Sequence, residues 1–435
     1  MNQIPRRLLP ETLAARDIPD PPRGKVRQTG PFGVLDIGTS KIACAIGRCE
    51  SDHSIRVLGF GWQKGRGVRS GGVTDIAEAE RAIRAAVGQA EEEAGVQLRS
   101  VTVNLSCGQP RGQVLNLQSG IGGRAVTQND VRRMLIDART RSGAEGRSII
   151  HLLPLDFLVD DAEGIDDPRG LFCDALGGRV HVVDAATAAL RTLDACLARG
   201  DLEISSLVAA PMAAAHAVMD KDERVLGVTV LDMGGGTTGM AVFANNHLQY
   251  TSQLPLGGAH VTNDIARVLS TPVAHAERLK TMDGNAEGSP DDEREYLPAP
   301  QVGEDEDQIA KVPRSMVVNI IRPRLEETFE LVRQRLEQEG LGNASGHRVV
   351  LTGGASQMSG MTDLAQRVLG RQVRIGRPIA PRGLPDAAHG PAFATTVGLL
   401  AWAAGTSRPL HDLDHEAERP RGPFRRLVNF LRERV

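Results

Sequence analysis

The sequence predicts an α/β protein in which two similar lobes face one nucleotide, and three glycine turns carry that prediction. Two runs about two hundred residues apart, Val34-Leu35-Asp36-Ile37-Gly38-Thr39-Ser40-Lys41 and Val230-Leu231-Asp232-Met233-Gly234-Gly235-Gly236-Thr237-Thr238, lead apolar strand residues into an Asp, then into glycines and hydroxyl residues. Such turns let main-chain N–H groups close on a phosphate. The third turn, Thr352-Gly353-Gly354-Ala355-Ser356, follows the apolar run Val349 to Leu351. One D-x-G at a strand end is often only a tight turn. Two in register predict a cleft with a lobe on each side, and each Asp supplies a carboxylate where Mg²⁺ needs only one or two protein oxygens.

At 435 residues the chain is long enough for two or three domains, each with its own core. Hydrophobic residues make up 41% and charged residues 24%, an ordinary globular composition. A net charge of −3 provides no global basic field, which argues against nucleic-acid binding as the main role. The cysteines (Cys44, Cys49, Cys107, Cys173, Cys196) are scattered without a C-x-x-C, so reduced thiols are expected. No run of eighteen apolar residues is present to span a bilayer. Residues 1–30 carry Arg6 and Arg7 among Pro10, Pro19, Pro21 and Pro22, with no apolar signal core, and are expected to be a disordered arm.

From Gly33 the pattern reads strand, turn, strand through Phe60, and Thr74-Asp75 then caps a helix with Ile76, Ala79, Ile83, Ala86, Val87 and Ala90 at helical spacing and Gly95 as its stop. Val101 to Leu105 is the next strand. Strands are expected near 114–117, 149–159 and 180–183, with a helix over 131–141 capped by Thr127 and Asp130. Helices over 184–198 and 212–219 follow. A strand from Val225 delivers the second phosphate run, and Gly239 to Phe243 turns back from it. Residues 283–307 hold ten acidic residues against one Arg and read as a solvated loop. Ile320, Ile321, Leu325, Phe329, Val332 and Leu336 then mark a helix that stops at Gly340.

Two D-x-G runs and a late T-G-G-A turn form the nucleotide cradle of the actin, Hsp70 and sugar-kinase superfamily, which this sequence resembles. Within it, residues 31 to 435 most closely resemble the bacterial FtsA cell-division family, through LDIGTSKIACAIGR, LLPLDFLVDDAEGIDDPRGL, LDMGGGTTGMAVF, VVLTGGASQMSGM, TTVGLLAWAA and a basic amphipathic C-terminus. The resemblance implies an actin-like ATPase fold with two RNase H-like lobes and an inserted 1C-type subdomain. Residues 31–102, 185–203 and 396–408 would form lobe 1, 103–184 subdomain 1C, 204–263 and 325–395 lobe 2, and 264–324 subdomain 2B. A linker at 409–421 would precede a helix over 422–435. The stretch from Trp402 to Val435 is too short for the peptide-binding domain and lid of an Hsp70-type chaperone, so that architecture is not expected.

For the site, the resemblance places ATP and Mg²⁺ between Asp36, Gly38, Thr39, Ser40 and Lys41 on one side and Asp232, Gly234, Gly235, Gly236, Thr237 and Thr238 on the other. Asp36 and Asp232 are the metal candidates, and Gly353, Gly354 and Ala355 would lie against the nucleoside. Glu277 and Lys280 share a helix face that the resemblance puts near the ribose and base; the alternative is a solvated i,i+3 ion pair. Relatives often carry an Asp where this chain has Gly239, which lowers the expectation of fast hydrolysis.

At about 100° per residue, Phe424, Leu427, Val428, Leu431 and Val435 fall on one arc, with Arg425, Arg426, Asn429, Arg432 and Glu433 opposite and Phe430 and Arg434 flanking. That pattern reads as an interfacial helix. A terminal helix docked on its own core is the alternative, against which stand the Pro-rich linker and a charge of +3 from Arg425 to Arg434. Each large apolar side chain is worth about 1.5–3 kcal/mol and each Arg near an anionic leaflet about 1, against about 1–2 per residue ordered. One tail should bind anionic lipid weakly and several joined tails strongly.

The resemblance further implies self-assembly into filaments, contact with downstream division proteins, and capture of the FtsZ C-terminal tail on subdomain 2B. Arg314, Asn319 and Arg322 are the polar candidates there, or else surface charges balancing the acidic loop. The reading is a scaffold on the cytoplasmic face of the membrane that tethers FtsZ filaments, with ATP hydrolysis slow or absent. Its rivals are a sugar or small-molecule kinase of the same superfamily and a cytoskeletal or pilus-assembly relative without FtsZ contact.

Overall fold

The computed structural model describes residues 30–52, 54–303, 309–342, 346–379 and 381–405. Residues 1–29 of the expected arm, residues 304–307 of the acidic run, the linker 409–421 and the amphipathic helix 422–435 lie outside the described residues.

The apolar run Phe32–Ile37 forms β1, turns at Gly38 into β2 (Lys41–Cys49), and returns as β3 (Ile55–Lys64). A ribbon of β4 (Val68–Arg69) and β5 (Gly72–Val73) leads into α1 (Ile76–Ala94). The cap is as expected: Asp75 accepts from the Glu78 N–H at 3.0 Å. Gly95 ends the helix in the left-handed region that glycine adopts without penalty. Gly59 and Gly61 of β3 let α1 sit directly on the sheet, since a Cβ at either would lie 2.1 Å from the Ala90 or Ala86 carbonyl oxygen. β6 (Ser100–Leu105) then runs parallel to β1.

The inserted unit follows as β7 (Arg111–Ala125), α2 (Gln128–Ser142), β8 (Arg147–Val159), β9 (Ala162–Ile165) and β10 (Phe172–Ala186). Its core joins Val131, Met134 and Ala138 of α2 to Leu117, Phe157, Leu176 and Val180 of the strands. The helix expected from Asp184 begins only at Thr187, as α3 (Thr187–Ala198). Asp184 instead finishes β10, where its carboxylate is held by Arg147 at 2.6 Å and Arg111 at 3.2 Å.

β11 (Glu203–Ala209), α4 (Ala210–Val218) and α5 (Lys221–Leu226) come next. α5 takes up Val225 and Leu226, so the second phosphate strand starts at Val228 rather than Val225. That strand is β12 (Val228–Met233), followed by β13 (Thr238–Ala244), β14 (His247–Leu254), α6 (Gly258–Val268) and α7 (Val273–Arg278). The acidic segment is not the solvated loop its composition predicts: Tyr296–Ala299 forms β15 and pairs with β16 (Ala310–Pro313). Arg314 offsets its charge, donating to Glu295 at 2.7 Å and lying 3.6 Å from the buried Asp292. α8 (Arg314–Gln338), β17 (Arg348–Thr352), α9 (Met361–Leu369), β18 (Gln372–Ile375) and α10 (Ala394–Ala403) complete the described chain.

The sheets reveal a duplication. One runs β11-β6-β1-β2-β3; the first five strands of the other run β18-β17-β12-β13-β14. In both, a central strand pairs antiparallel with the hairpin after it and parallel with a later strand. The lobes are therefore two copies of one unit, as an actin-like fold requires. The inserted strands extend the second sheet through a single ladder pair, Ser252 with Arg111.

α4 and α10 pack in the core between the two sheets, contributing Met212, Ala213, Val397 and Leu400. A Cβ on Gly398 would lie 1.7 Å from the Ala213 carbonyl oxygen, so only glycine permits their approach. Gly398→Ala is expected to destabilise the fold by at least about 1–3 kcal/mol, read as a lower urea midpoint in equilibrium unfolding.

Candidate functional site

Each lobe presents the same hairpin turn at the cleft. Gly38 N–H donates to the Lys41 carbonyl at 2.9 Å, and Gly234 N–H to the Thr237 carbonyl at 2.8 Å. Among the described residues, no main-chain bond takes the N–H groups of Thr39, Ser40, Gly235 or Gly236. These are donors of the kind that cradle a phosphate. The turns face each other closely: a Cβ on Gly235 would fall 1.8 Å from Ser40 Oγ, and one on Gly236 2.4 Å from Thr39 Oγ1 and 2.9 Å from the Ser70 backbone.

The two carboxylates occupy equivalent places, near the end of β1 and of β12. Asp36 accepts from Lys41 Nζ at 2.8 Å and from Thr396 Oγ1 at 2.9 Å; Asp232 accepts from Thr395 Oγ1 at 3.0 Å. Burial and the Asp36 charge push the Asp232 carboxyl up to about 6, against the pull of the Thr395 hydroxyl and the Lys41 ammonium. Lys41 also lies over the Phe393 ring, 4.5 Å from its centroid. Among the described residues no group of three or more His, Cys, Asp or Glu is placed to hold a metal. Two carboxylates fit Mg²⁺, which keeps most of its waters.

Gly353 and Gly258 close the second-lobe side. Gly353 adopts φ +84°, and a Cβ there would meet Asp232 Oδ1 and the Met233 carbonyl oxygen at 2.5 Å. The Gly258 and Ala259 N–H groups donate to the Gly234 and Gly235 carbonyls at 3.0 and 2.7 Å, so the start of α6 braces the second turn. A Cβ on Gly258 would contact Ala355 and Lys280.

Glu277 lies in α7 and Lys280 in the turn that follows it. They form the i,i+3 pair, at 2.7 Å, and Lys280 also donates to Thr262 Oγ1 at 2.8 Å and to the Gly258 carbonyl at 3.2 Å. Burial acts to raise the Glu277 carboxyl, but the Lys280 and Thr262 bonds outweigh it and leave it lowered, with Lys64 adding to the pull from the other lobe. The pair is thus tied to the first turns of α6.

At Gly239 a Cβ would lie 2.9 Å from Pro211 Cβ, so Pro211 packs the space that a side chain would need. On α8, Arg314 is engaged by Asp292 and Glu295, Arg322 pairs with Glu326 at 2.9 Å, and Asn319 is exposed beside a groove of about 400 Å³ lined by Ser289, Glu293, Ser315 and Val318. The membrane-helix candidates lie outside the described residues.

Sequence reasoning missed two parts of the site. Leu256-Gly257-Gly258-Ala259 follows a strand with a glycine pair, a signal that was readable. Thr395 and Thr396 open the TTVGLLAWAA stretch that carries the resemblance, but nothing local in it assigns them to the cleft, since each bonds a residue 163 or 360 positions away.

A family model described as Cell division protein FtsA matches residues 229–398, and one described as the SHS2 domain inserted in FtsA matches residues 108–184. The chain is 44% identical over 380 residues to the cell division protein FtsA of Rhizobium meliloti (strain 1021), covering 85% of this chain and 86% of the relative. To that of Escherichia coli (strain K12) it is 34% identical over 382 residues, covering 84% and 88%. Among solved structures, the PilM–PilN type IV pilus biogenesis complex contains a chain similar in fold, with a TM-score of 0.61, 18% identity, and coverage of 86% of this chain and 98% of that one.

Asp232→Asn keeps an acceptor for Thr395 and removes the charge. Because the carboxyl is raised from 3.8 to about 6 in the folded state, ionisation costs stability progressively as pH rises through that window, fully above it. The ligand-free variant should therefore be more stable than wild type by up to about 3 kcal/mol at about pH 8. The difference should vanish towards about pH 4, as read by urea unfolding across pH.

Proposed function

The chain belongs to the FtsA family of cell-division proteins, and from that premise we propose that it is a nucleotide-dependent scaffold that tethers FtsZ filaments to the cytoplasmic face of the membrane. The observation that carries the reading is the convergence of Asp36 and Asp232 from equivalent places in two repeated lobes, with unpaired N–H groups on the turn beside each. That arrangement suits ATP with Mg²⁺. The hairpin N–H groups and Lys41 would hold phosphates, Asp36 and Asp232 the hydrated metal, and Gly353, Gly354, Ala355, Glu277 and Lys280 the nucleoside side.

A bound Mg²⁺ would supply charge neutralisation between the phosphates and the two carboxylates. The chain's own residues bind and orient; with Pro211 filling the space beside Gly239, that position offers no carboxylate to order a water. This supports a binding switch with slow turnover rather than a dedicated transferase. Binding would draw the two lobes together, and closed subunits would assemble with one another.

The partners follow the same reading. Asn319 and Arg322 would meet the FtsZ C-terminal tail beside the groove on α8, with Arg314 ordering the acidic segment that forms the groove's other wall. Downstream division proteins would use the inserted subdomain. The terminal helix, through Phe424, Leu427, Val428, Leu431 and Val435 with Arg425, Arg426, Arg432 and Arg434, would rest on anionic lipid.

Vesicle flotation tests the scheme. With anionic vesicles and ATP, the full chain should float and carry FtsZ with it, whereas deletion of residues 422–435 or Leu427→Asp should leave both in the pellet while nucleotide binding persists. Flotation unchanged by either variant would refute the tail. A protein that floats without FtsZ would refute the tether.

A further inference from the structure

Two carboxylates that belong to opposite lobes are tied to consecutive residues of one helix. Thr395 Oγ1 donates to Asp232 Oδ2 at 3.0 Å, and Thr396 Oγ1 donates to Asp36 Oδ2 at 2.9 Å. Both threonines lie in the first turn of α10, 7% and 0% exposed. Neighbouring helical residues point about 100° apart, so one turn of α10 can address two lobes at once.

The chemistry is restrictive. A threonine hydroxyl in a helix usually bonds back to a carbonyl three or four residues earlier, but both hydroxyls here are spent on side-chain carboxylates from other elements. Lys41 Nζ takes the same Oδ2 of Asp36 at 2.8 Å. These bonds gather on one oxygen of each carboxylate and leave Oδ1 of both without a donor among the described residues. β-branching limits the rotamers of each threonine, so α10 helps to aim both carboxylates, joined at Asp36 by Lys41 of its own lobe.

On the nucleotide reading above, we infer that Thr395 and Thr396 are positioning residues for the divalent cation, a clasp that fixes the separation and the aim of Asp36 and Asp232 towards it. The clasp also opposes the mutual repulsion of the two anions before any cation arrives. α10 lies against α4 through Gly398, so the clasp is anchored in the core between the two sheets. An apolar side chain of the same shape would keep that packing and lose the clasp.

The test is the ratio of the ATP dissociation constant in EDTA to that in Mg²⁺, measured by calorimetry on the full chain. Hydrogen bonds to charged groups are worth about 1.5–3 kcal/mol, so Thr395→Val and Thr396→Val should each lower the ratio about tenfold or more. Thr395→Ser and Thr396→Ser, which keep the hydroxyl, should return it to within about twofold of wild type. Should a valine variant not fold, alanine at the same position makes the same comparison, since it also lacks the hydroxyl. A wild-type ratio that survives in the hydroxyl-free variants, or a loss as large in the serine variants, overturns the clasp. A wild-type chain that binds no ATP at all overturns the functional reading itself, whereas ATP binding with a ratio near one overturns the clasp alone.

Discussion

Asp36 and Asp232 repel each other across the cleft, and the rest of the structure is arranged so that this repulsion is held rather than relieved. Lys41 neutralises one side, the two threonines of α10 donate to both, and the Phe393 ring steadies Lys41 from above. Burial first, and the Asp36 charge second, still hold the Asp232 carboxyl above its usual range. On the proposed nucleotide reading, a bound cation would relieve the repulsion between these two like charges. That difference would be free energy a ligand could use to shift the lobes.

Holding the charges there requires backbone where other proteins have side chains. Gly353 brings its turn against Asp232, Gly235 and Gly236 bring one lobe's hairpin against the other's, and Gly398 lets α10 touch α4. Each tolerates no Cβ, for a different reason: a left-handed φ at Gly353, opposing side chains at Gly235 and Gly236, a carbonyl oxygen at Gly398. The two repeated lobes supply equivalent hairpins, but the single helix whose threonines reach both makes the pair into one site.

The inserted subdomain is joined to this frame differently. Its own sheet and α2 form a separate core, and its link to the second lobe's sheet is one ladder pair. Beside that seam, His181, Ser252 and Gln253 bury polar atoms that have no partner among the described residues. Such groups cost about 1–3 kcal/mol each where they stay unpaired. The second lobe therefore holds the inserted unit through fewer satisfied contacts than it holds its own strands.

Much of this was legible before any coordinates. Glycines after an apolar run and an Asp, and helical spacing in α1 with Asp75 and Gly95 at its ends, are short-range patterns, and short-range patterns report local conformation. Where composition was asked to speak for long-range contact it failed: the acidic segment is partly ordered because Arg314 lies against it, and Asp184 stays in a strand because Arg111 and Arg147 hold it. The sequence alone determined that two phosphate-type turns exist and which family they belong to. Only the tertiary structure decided that their carboxylates converge on Thr395 and Thr396, because bonds spanning 163 and 360 residues leave no trace in the local spacing of either partner.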